Sequence, residues 1–392
     1  MNVRVWVGSA LSFASAGFLL LLVWPAALVM GFGHPAVPVG MHLLTLGLLV
    51  GSAYPALAGL WAGLYGPRSP RPLWLRWAFV CHVSGVIGLV TGFYLGDREW
   101  AYWGGHYLAP TGLVLLGLHG IGAARLRPAG SERHLWSHLP VAGLLVTMAL
   151  GALLVMDALT GKYGLYHPGT IMTHLFSGGF LFLLPLTVLP GKVQSLPTDL
   201  GGPLGTPLTL PMLGRYYGPV GAGALAVLIV TTGLVEGTDG VPVWVGVLLA
   251  GFTGLWLGLP LPSGKIWRAP EAWRRMEWFG LGLGLLFVAL RLARGTEPTL
   301  PLANLAVPMV LFLVAVPESL RMLGGVMAFP AALEKGLAPW RAISGALLTT
   351  ACLLAYGGAM ERAVWLTRSG ALVGLAVLGV MLWELRPRAG DA

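Results

Sequence analysis

Long apolar runs follow one another along the whole chain, separated by short segments that carry charged, proline and glycine residues. A bilayer core about 30 Å thick needs about 20 apolar residues in a helix. Helices are expected because lipid-exposed backbone has to satisfy its own hydrogen bonds, and the short alternating segments of a membrane barrel are not visible. The pattern predicts an all-α polytopic membrane protein of about twelve transmembrane helices. The predicted spans are 8–31, 37–65, 73–96, 101–124, 135–157, 168–190, 214–236, 241–262, 276–293, 301–323, 340–359 and 363–384.

The basic residues between these runs predict the orientation. With the N-terminus inside, 18 of the 24 Lys and Arg residues lie in or beside cytoplasmic segments. Only Arg98, Lys162, Arg291, Arg294, Arg362 and Arg368 remain for the outer side. Because cytoplasmic loops carry the excess of positive charge, both termini are predicted to be cytoplasmic.

Composition excludes several classes of protein. Hydrophobic residues make up 56% of the chain and charged residues 10%, against about 25% charged residues in soluble domains. Disorder is excluded for the same reason. The net charge of +9 follows from the loop asymmetry, so no nucleic-acid partner is inferred. The two cysteines, Cys81 and Cys352, rule out a disulfide framework and a CxxC metal motif. Scarce amides and more Arg than Lys are typical of a thermophilic source, and the expected location is a bacterial inner membrane.

A segment rich in Pro, Gly and Thr, residues 191–213, divides the chain into a half at 1–190 and a half at 214–392. All nine histidines lie in the first half, and the last of them is His174. Ionisable side chains at membrane depth are rare and usually functional. The first half is therefore predicted to hold the cofactor or metal site.

Depth sorts six of the histidines into two layers. His42, His106 and His174 each lie five or six residues inside a span that enters from the outer side, about 8–9 Å deep at 1.5 Å per residue. His82, His119 and His138 are predicted to lie in the inner half of the membrane. Two layers of imidazoles would suit two stacked haem groups.

Other interpretations of these histidines remain open. A copper or zinc site built from His42, His106 and His174 is chemically sensible, because imidazole binds both metals. A buried histidine can also simply hydrogen-bond a carbonyl or hydroxyl and hold helices together. His106 and His119 share one span, but their 13-residue spacing rotates them by roughly 140°, so they do not form one ligand face.

Two short motifs resemble the catalytic subunit of haem-copper oxidases. They are MHLLTLG at 41–47, in span two, and THLFSGG at 173–179, in span six. In that family, spans two, six and ten occupy equivalent places in a pseudo-threefold bundle. His42 is followed by Pro55 and Asn304 by Pro317, both at a spacing of 13, so span ten echoes span two.

The resemblance implies a bundle like that of oxidase subunit I, with His42 as a ligand of b-type haem. This chain departs from the family where Asn304 stands in span ten and where residues 214–236 contain no histidine. These are places where the family carries further haem and copper ligands. The chain is thus expected to be a degenerate relative without the copper-B site. NnrS-like haem and copper membrane proteins linked to nitric oxide are neighbours of the same kind.

The favoured hypothesis is a membrane cytochrome-like protein for electron transfer or for handling nitric oxide or oxygen. Haem b is the expected cofactor, with His42, His106 and His174 as ligands, and an electron-transfer protein or an oxidase or reductase subunit is the expected partner. The alternatives are a copper-binding protein for oxidase assembly and a secondary transporter without a prosthetic group. Whether the chain is an enzyme is left open.

Overall fold

A computed structural model describes residues 3–25, 35–65, 72–126, 135–160, 174, 351, 354 and 363–384. The regular structure of these residues is helical, and six helices are long and apolar enough to cross a membrane. They coincide with predicted spans one to five and twelve, so the helical membrane character is confirmed there. Predicted spans six to eleven lie outside the described residues, apart from positions 174, 351 and 354. The number twelve and the orientation stay predictions.

The helices are interrupted in two of the spans by π-helical segments. In chain order, the structure has α1 at Val3–Val23, α2 at Ala36–His42, a π segment at Leu43–Val50 and α3 at Gly51–Tyr65. There follow α4 at Pro72–Leu95, α5 at Arg98–Tyr102, a second π segment at Trp103–Leu108 and α6 at Ala109–Arg125. A short 3₁₀ turn at Leu135–His138 leads into α7 at Leu139–Thr160, and α8 covers Val364–Glu384.

The first span differs from its predicted limits of 8–31. The helix α1 begins at Val3 and ends at Val23, two residues before Pro25. Proline disfavours helical geometry in the residue before it, and this explains why the apolar run continues beyond the helix. The residues after Pro25, up to 34, lie outside the described part of the chain.

A tight turn joins α4 to α5. Gly96 has a φ of +68°, which glycine adopts without a steric penalty. Asp97 then caps α5, because its Oδ1 accepts hydrogen bonds from the backbone N–H groups of Glu99, at 3.0 Å, and Trp100, at 3.3 Å. The turn reverses the chain, so α4 lies antiparallel to the span that α5 begins.

Small residues line the contact between these two antiparallel spans. Gly92 of α4 faces Ala101, Gly88 faces Gly104, and Gly85 faces Ala109. A Cβ placed on Gly88 would lie 3.3 Å from the Cα of Gly104. Membrane helices associate without a hydrophobic driving force, so such close backbone approach supplies their packing energy.

The first and last described helices also pack together. Phe18 of α1 lies against Gly374 of α8, where a Cβ would come within 2.6 Å of the Phe18 ring. On another side of α1, Phe13 contacts Gly47 of the first π segment. The helix α1 is thus held between span two and α8.

Exposed aromatic residues mark both ends of the spans. On α8, Trp365 and Trp383 are 70% and 65% exposed, and their 18-residue separation corresponds to about 27 Å. On α4, Trp77 and Tyr94 are likewise exposed and lie about 25 Å apart along the axis. These lengths match the roughly 30 Å hydrocarbon core, as expected of aromatic belts at the two interfaces.

The small-residue contact predicts opposite effects for two Gly→Ala changes. In Gly85→Ala, the new Cβ would lie 2.8 Å from the Cα of Ala109, and we expect a loss of about 1–3 kcal/mol of stability through overpacking. Gly379→Ala on α8 is the matched control, because a Cβ there meets nothing within 4 Å and alanine favours the helix. Thermal unfolding of the full chain in one detergent measures both; equal effects would contradict the packing described.

Candidate functional site

His42 lies at the junction between α2 and the first π segment, near the end of span two that is predicted to be the outer one. Its Nδ1–H donates a hydrogen bond to the carbonyl oxygen of Pro38, one turn earlier, at 2.7 Å. Its ring lies 5.2 Å from the ring of Phe93 on α4. The imidazole is therefore fixed within its own helix and packed against a neighbouring one.

The second outer imidazole, His174, is held by α7. Its Nδ1–H donates to the carbonyl oxygen of Thr147 at 2.7 Å. The ring packs against Gly151 with Cε1 nearest, and a Cβ there would come within 2.6 Å of that atom. Only glycine at position 151 leaves room for the imidazole in this place.

A charge on His42 would be felt at His174, so the two side chains lie in the same part of the bundle. In both, Nδ1 donates to a carbonyl, so the neutral imidazole carries its lone pair on Nε2. Histidines that bind metals commonly have this arrangement, with the other ring N–H held by a backbone carbonyl or carboxylate. The two side chains therefore share the tautomer that a ligand pair would use.

The third predicted outer ligand, His106, lies in the second π segment. Its ring stacks on Tyr102 at 4.7 Å and 14° and meets Tyr107 edge to face. Its Nδ1 is buried and has no hydrogen-bond partner among the described residues. The structure records no contact of His106 with His42 or His174, so its part in a shared site stays a prediction.

Near the middle of α4, His82 is almost completely buried. Its Nε2–H donates to the carbonyl oxygen of Leu46, in span two, at 3.1 Å. Its ring lies 4.7 Å from the ring of Tyr54, and Trp6 packs on Tyr54 at 4.9 Å. This places His82 against the central part of span two, with an aromatic cluster from α1 and α3.

The two other inner histidines share Trp61 of α3. His138 stacks on Trp61 at 5.2 Å and 23°, and the His119 ring lies 6.4 Å from the same indole. The indole Nε1–H donates to the Ser137 hydroxyl at 3.2 Å, and the Tyr65 hydroxyl lies 3.3 Å from the same oxygen. The predicted inner layer thus divides into this cluster and the separate His82 site.

No group of three or more His, Cys, Asp or Glu side chains in the described residues is arranged to hold a metal ion. His42 and His174 lie in one part of the bundle. His119 and His138 both lie beside Trp61. A three-histidine metal centre from His42, His106 and His174 finds no support in this arrangement.

Sequence reasoning missed the partners of the histidines. No role is predicted from the sequence for three residues of the histidine clusters, namely Tyr54, Trp61 and Ser137. The spacing of seven residues between Tyr54 and Trp61 is the signal that could have found them, because it places both on one face of a helix.

Comparisons with protein-family models, with curated proteins and with solved structures found no match for this chain. Any assignment of function has to be argued from the chain's own residues.

The Ser137 hydroxyl predicts a measurable loss of stability. Ser137→Ala removes the acceptor of the buried Trp61 indole N–H and one partner of Tyr65, so we expect the free energy of unfolding to fall by roughly 1–3 kcal/mol. Ser369→Ala is the matched control, since this serine only bonds the carbonyl of Trp365 in its own helix and should cost less than about 0.5 kcal/mol. Thermal unfolding in detergent compares them, and equal stability would contradict the hydrogen bonding described.

Proposed function

We propose that the chain is an integral membrane b-type cytochrome, in which His42 and His174 would hold one haem through their Nε2 atoms. One observation carries the proposal: the two imidazoles are near enough to influence each other electrostatically, and each has its Nδ1–H held by a backbone carbonyl at 2.7 Å. A bis-imidazole haem needs two such nitrogen ligands on facing helices.

The local surroundings support this assignment. A carbonyl bonded to Nδ1–H fixes the tautomer, fixes the ring orientation and raises the basicity of the ligating nitrogen. Gly151 leaves room for the His174 ring to pack against α7. Phe93 packs beside His42 and adds an apolar wall, which favours a planar apolar macrocycle over a hydrated ion.

The wider arrangement is compatible with a relative of oxidase subunit I. The packing of α1 on α8 joins the two ends of the described chain, as a closed bundle of about twelve helices requires. In the family resemblance, the partner of His42 would stand in span ten, where this chain has Asn304. Here the partner is His174 of predicted span six, and no copper-B site is proposed.

The chain's own residues determine what such a site can do. A bound haem would supply one-electron exchange, and it would take up a diatomic gas such as nitric oxide or oxygen only where the gas replaces one of the two imidazoles. Pro38 and Thr147 hold the ligand imidazoles through their carbonyl oxygens, and Phe93 beside His42 excludes water from one side. The expected role is electron transfer or gas handling in a bacterial inner membrane, with an electron-transfer protein or an oxidase or reductase subunit as partner.

Copper is the second candidate, favoured by the same pair of imidazoles, because imidazole nitrogen also suits copper. This candidate would give the protein a role in copper storage or in oxidase assembly. Metal analysis separates the two: iron with a haem spectrum supports the cytochrome, and copper without haem replaces it.

The visible spectrum tests the proposed ligands. After expression with adequate haem, the purified protein is expected to show a Soret band, and His42→Ala or His174→Ala should lose most of it through loss of an axial ligand. His138→Ala is the matched control, because this histidine stacks on Trp61 in the separate cluster and should leave the spectrum unchanged. A colourless wild-type protein would rule the cytochrome out.

Gly151 gives a test that leaves both ligands in place. Gly151→Ala should push the His174 ring away from α7, because the added Cβ would lie 2.6 Å from Cε1. We expect haem affinity to fall by about 10–100-fold, the range typical of changes next to metal ligands. Gly117→Ala is the matched control, where a Cβ would meet only Val141 at 3.4 Å. Haem-to-protein ratios measure the effect, and equal ratios would contradict the packing of His174 on Gly151.

A further inference from the structure

The middle of the described bundle contains two polar atoms that lack partners. The Tyr54 hydroxyl and His82 Nδ1 are both buried, and neither has a hydrogen-bond partner among the described residues. Their side chains are 0% and 1% exposed, and their rings lie 4.7 Å apart. In the apolar interior, each such atom destabilises the fold unless something bonds to it.

Hydrogen-bond chemistry defines what could bind there. The Nε2–H of His82 donates to the Leu46 carbonyl, so Nδ1 of the neutral ring carries a lone pair and needs a donor. The Tyr54 hydroxyl can donate as well as accept. The two atoms do not bond directly to each other. A molecule that donates to Nδ1 and accepts from the phenol would satisfy both.

The surroundings restrict the size of such a molecule. A Cβ on Gly112 of α6 would lie 3.1 Å from the Tyr54 hydroxyl oxygen, and a Cβ on Gly51 would lie 3.7 Å from His82 Nε2. The same Cβ on Gly112 would also lie 2.8 Å from the Ala78 carbonyl oxygen and 3.0 Å from the His82 backbone nitrogen. The backbone therefore packs closely around the pair, and a guest can be no larger than one water molecule.

We propose that Tyr54 and His82 form a binding site for one water molecule in the middle of the membrane. The water donates to His82 Nδ1 and accepts from the Tyr54 hydroxyl, so α3 is linked to α4 through a hydrogen-bonded chain that continues to the Leu46 carbonyl. Leu46 lies one turn from His42, but the water site does not depend on a haem being present.

Thermal unfolding gives the first test, because removal of the Tyr54 hydroxyl should change the unfolding temperature in opposite directions for a bonded and an unbonded hydroxyl. In the full-length protein in one detergent, Tyr54→Phe is expected to lower the unfolding temperature by about 2–4 °C, since the water loses a partner. An unbonded buried hydroxyl would give an unchanged or higher unfolding temperature, and that result would overturn the proposal. Tyr94→Phe, which removes a hydroxyl from an exposed side chain, is the matched control and should cause no shift.

A second measurement applies if Tyr54→Phe fails to fold. An experimental map of the wild-type protein that resolves ordered waters should show a peak within hydrogen-bond distance of both Tyr54 Oη and His82 Nδ1. A map with no peak there, or with the two atoms in direct contact, would overturn the proposal. Neither experiment needs a chromophore, so the water site and the cytochrome can fail independently.

Discussion

Hydrogen bonds from imidazole N–H groups to backbone carbonyls hold the described core of this protein in register. The hydrocarbon core of a bilayer offers no bulk water to a polar group, so a histidine inside it needs a partner held within the protein. His42 donates to Pro38, His82 to Leu46 and His174 to Thr147. The last two of these bonds join different spans. They therefore fix both the rotation of the helices and the tautomer of the rings, and the proposed ligand pair depends on that tautomer.

The π segments are part of the same arrangement. In a π turn the backbone bond reaches from residue i to i+5, and such turns are frequent at functional sites. Here one begins directly after His42 and the other contains His106. The Leu46 carbonyl, inside the first segment, accepts from the Gly51 N–H as well as from His82. The glycines of α4 bring its backbone close to the span that contains the second π segment.

The limits of the six described spans were predicted well, because lipid requires continuous backbone hydrogen bonding over a fixed length. The helix α4, at Pro72–Leu95, differs by one residue at each end from the predicted 73–96. Local chemistry that hydropathy does not register moved the other limits: Pro25 follows the end of α1, and the Asp97 cap starts the fourth span at Arg98. The pairing of histidines was beyond prediction, since it depends on helix rotation. Thus the ring of His106 stacks on Tyr102, whereas the ring of His174 reaches the carbonyl of Thr147.

The most direct test of the proposed ligand pair is the electron paramagnetic resonance spectrum of the oxidised, haem-loaded wild-type protein. Two imidazole ligands give a low-spin ferric haem, and the account predicts this signal for the wild type and its loss in His174→Ala, with any haem that remains in the variant high-spin. A high-spin signal in the wild type, or no haem iron at all, would contradict the account.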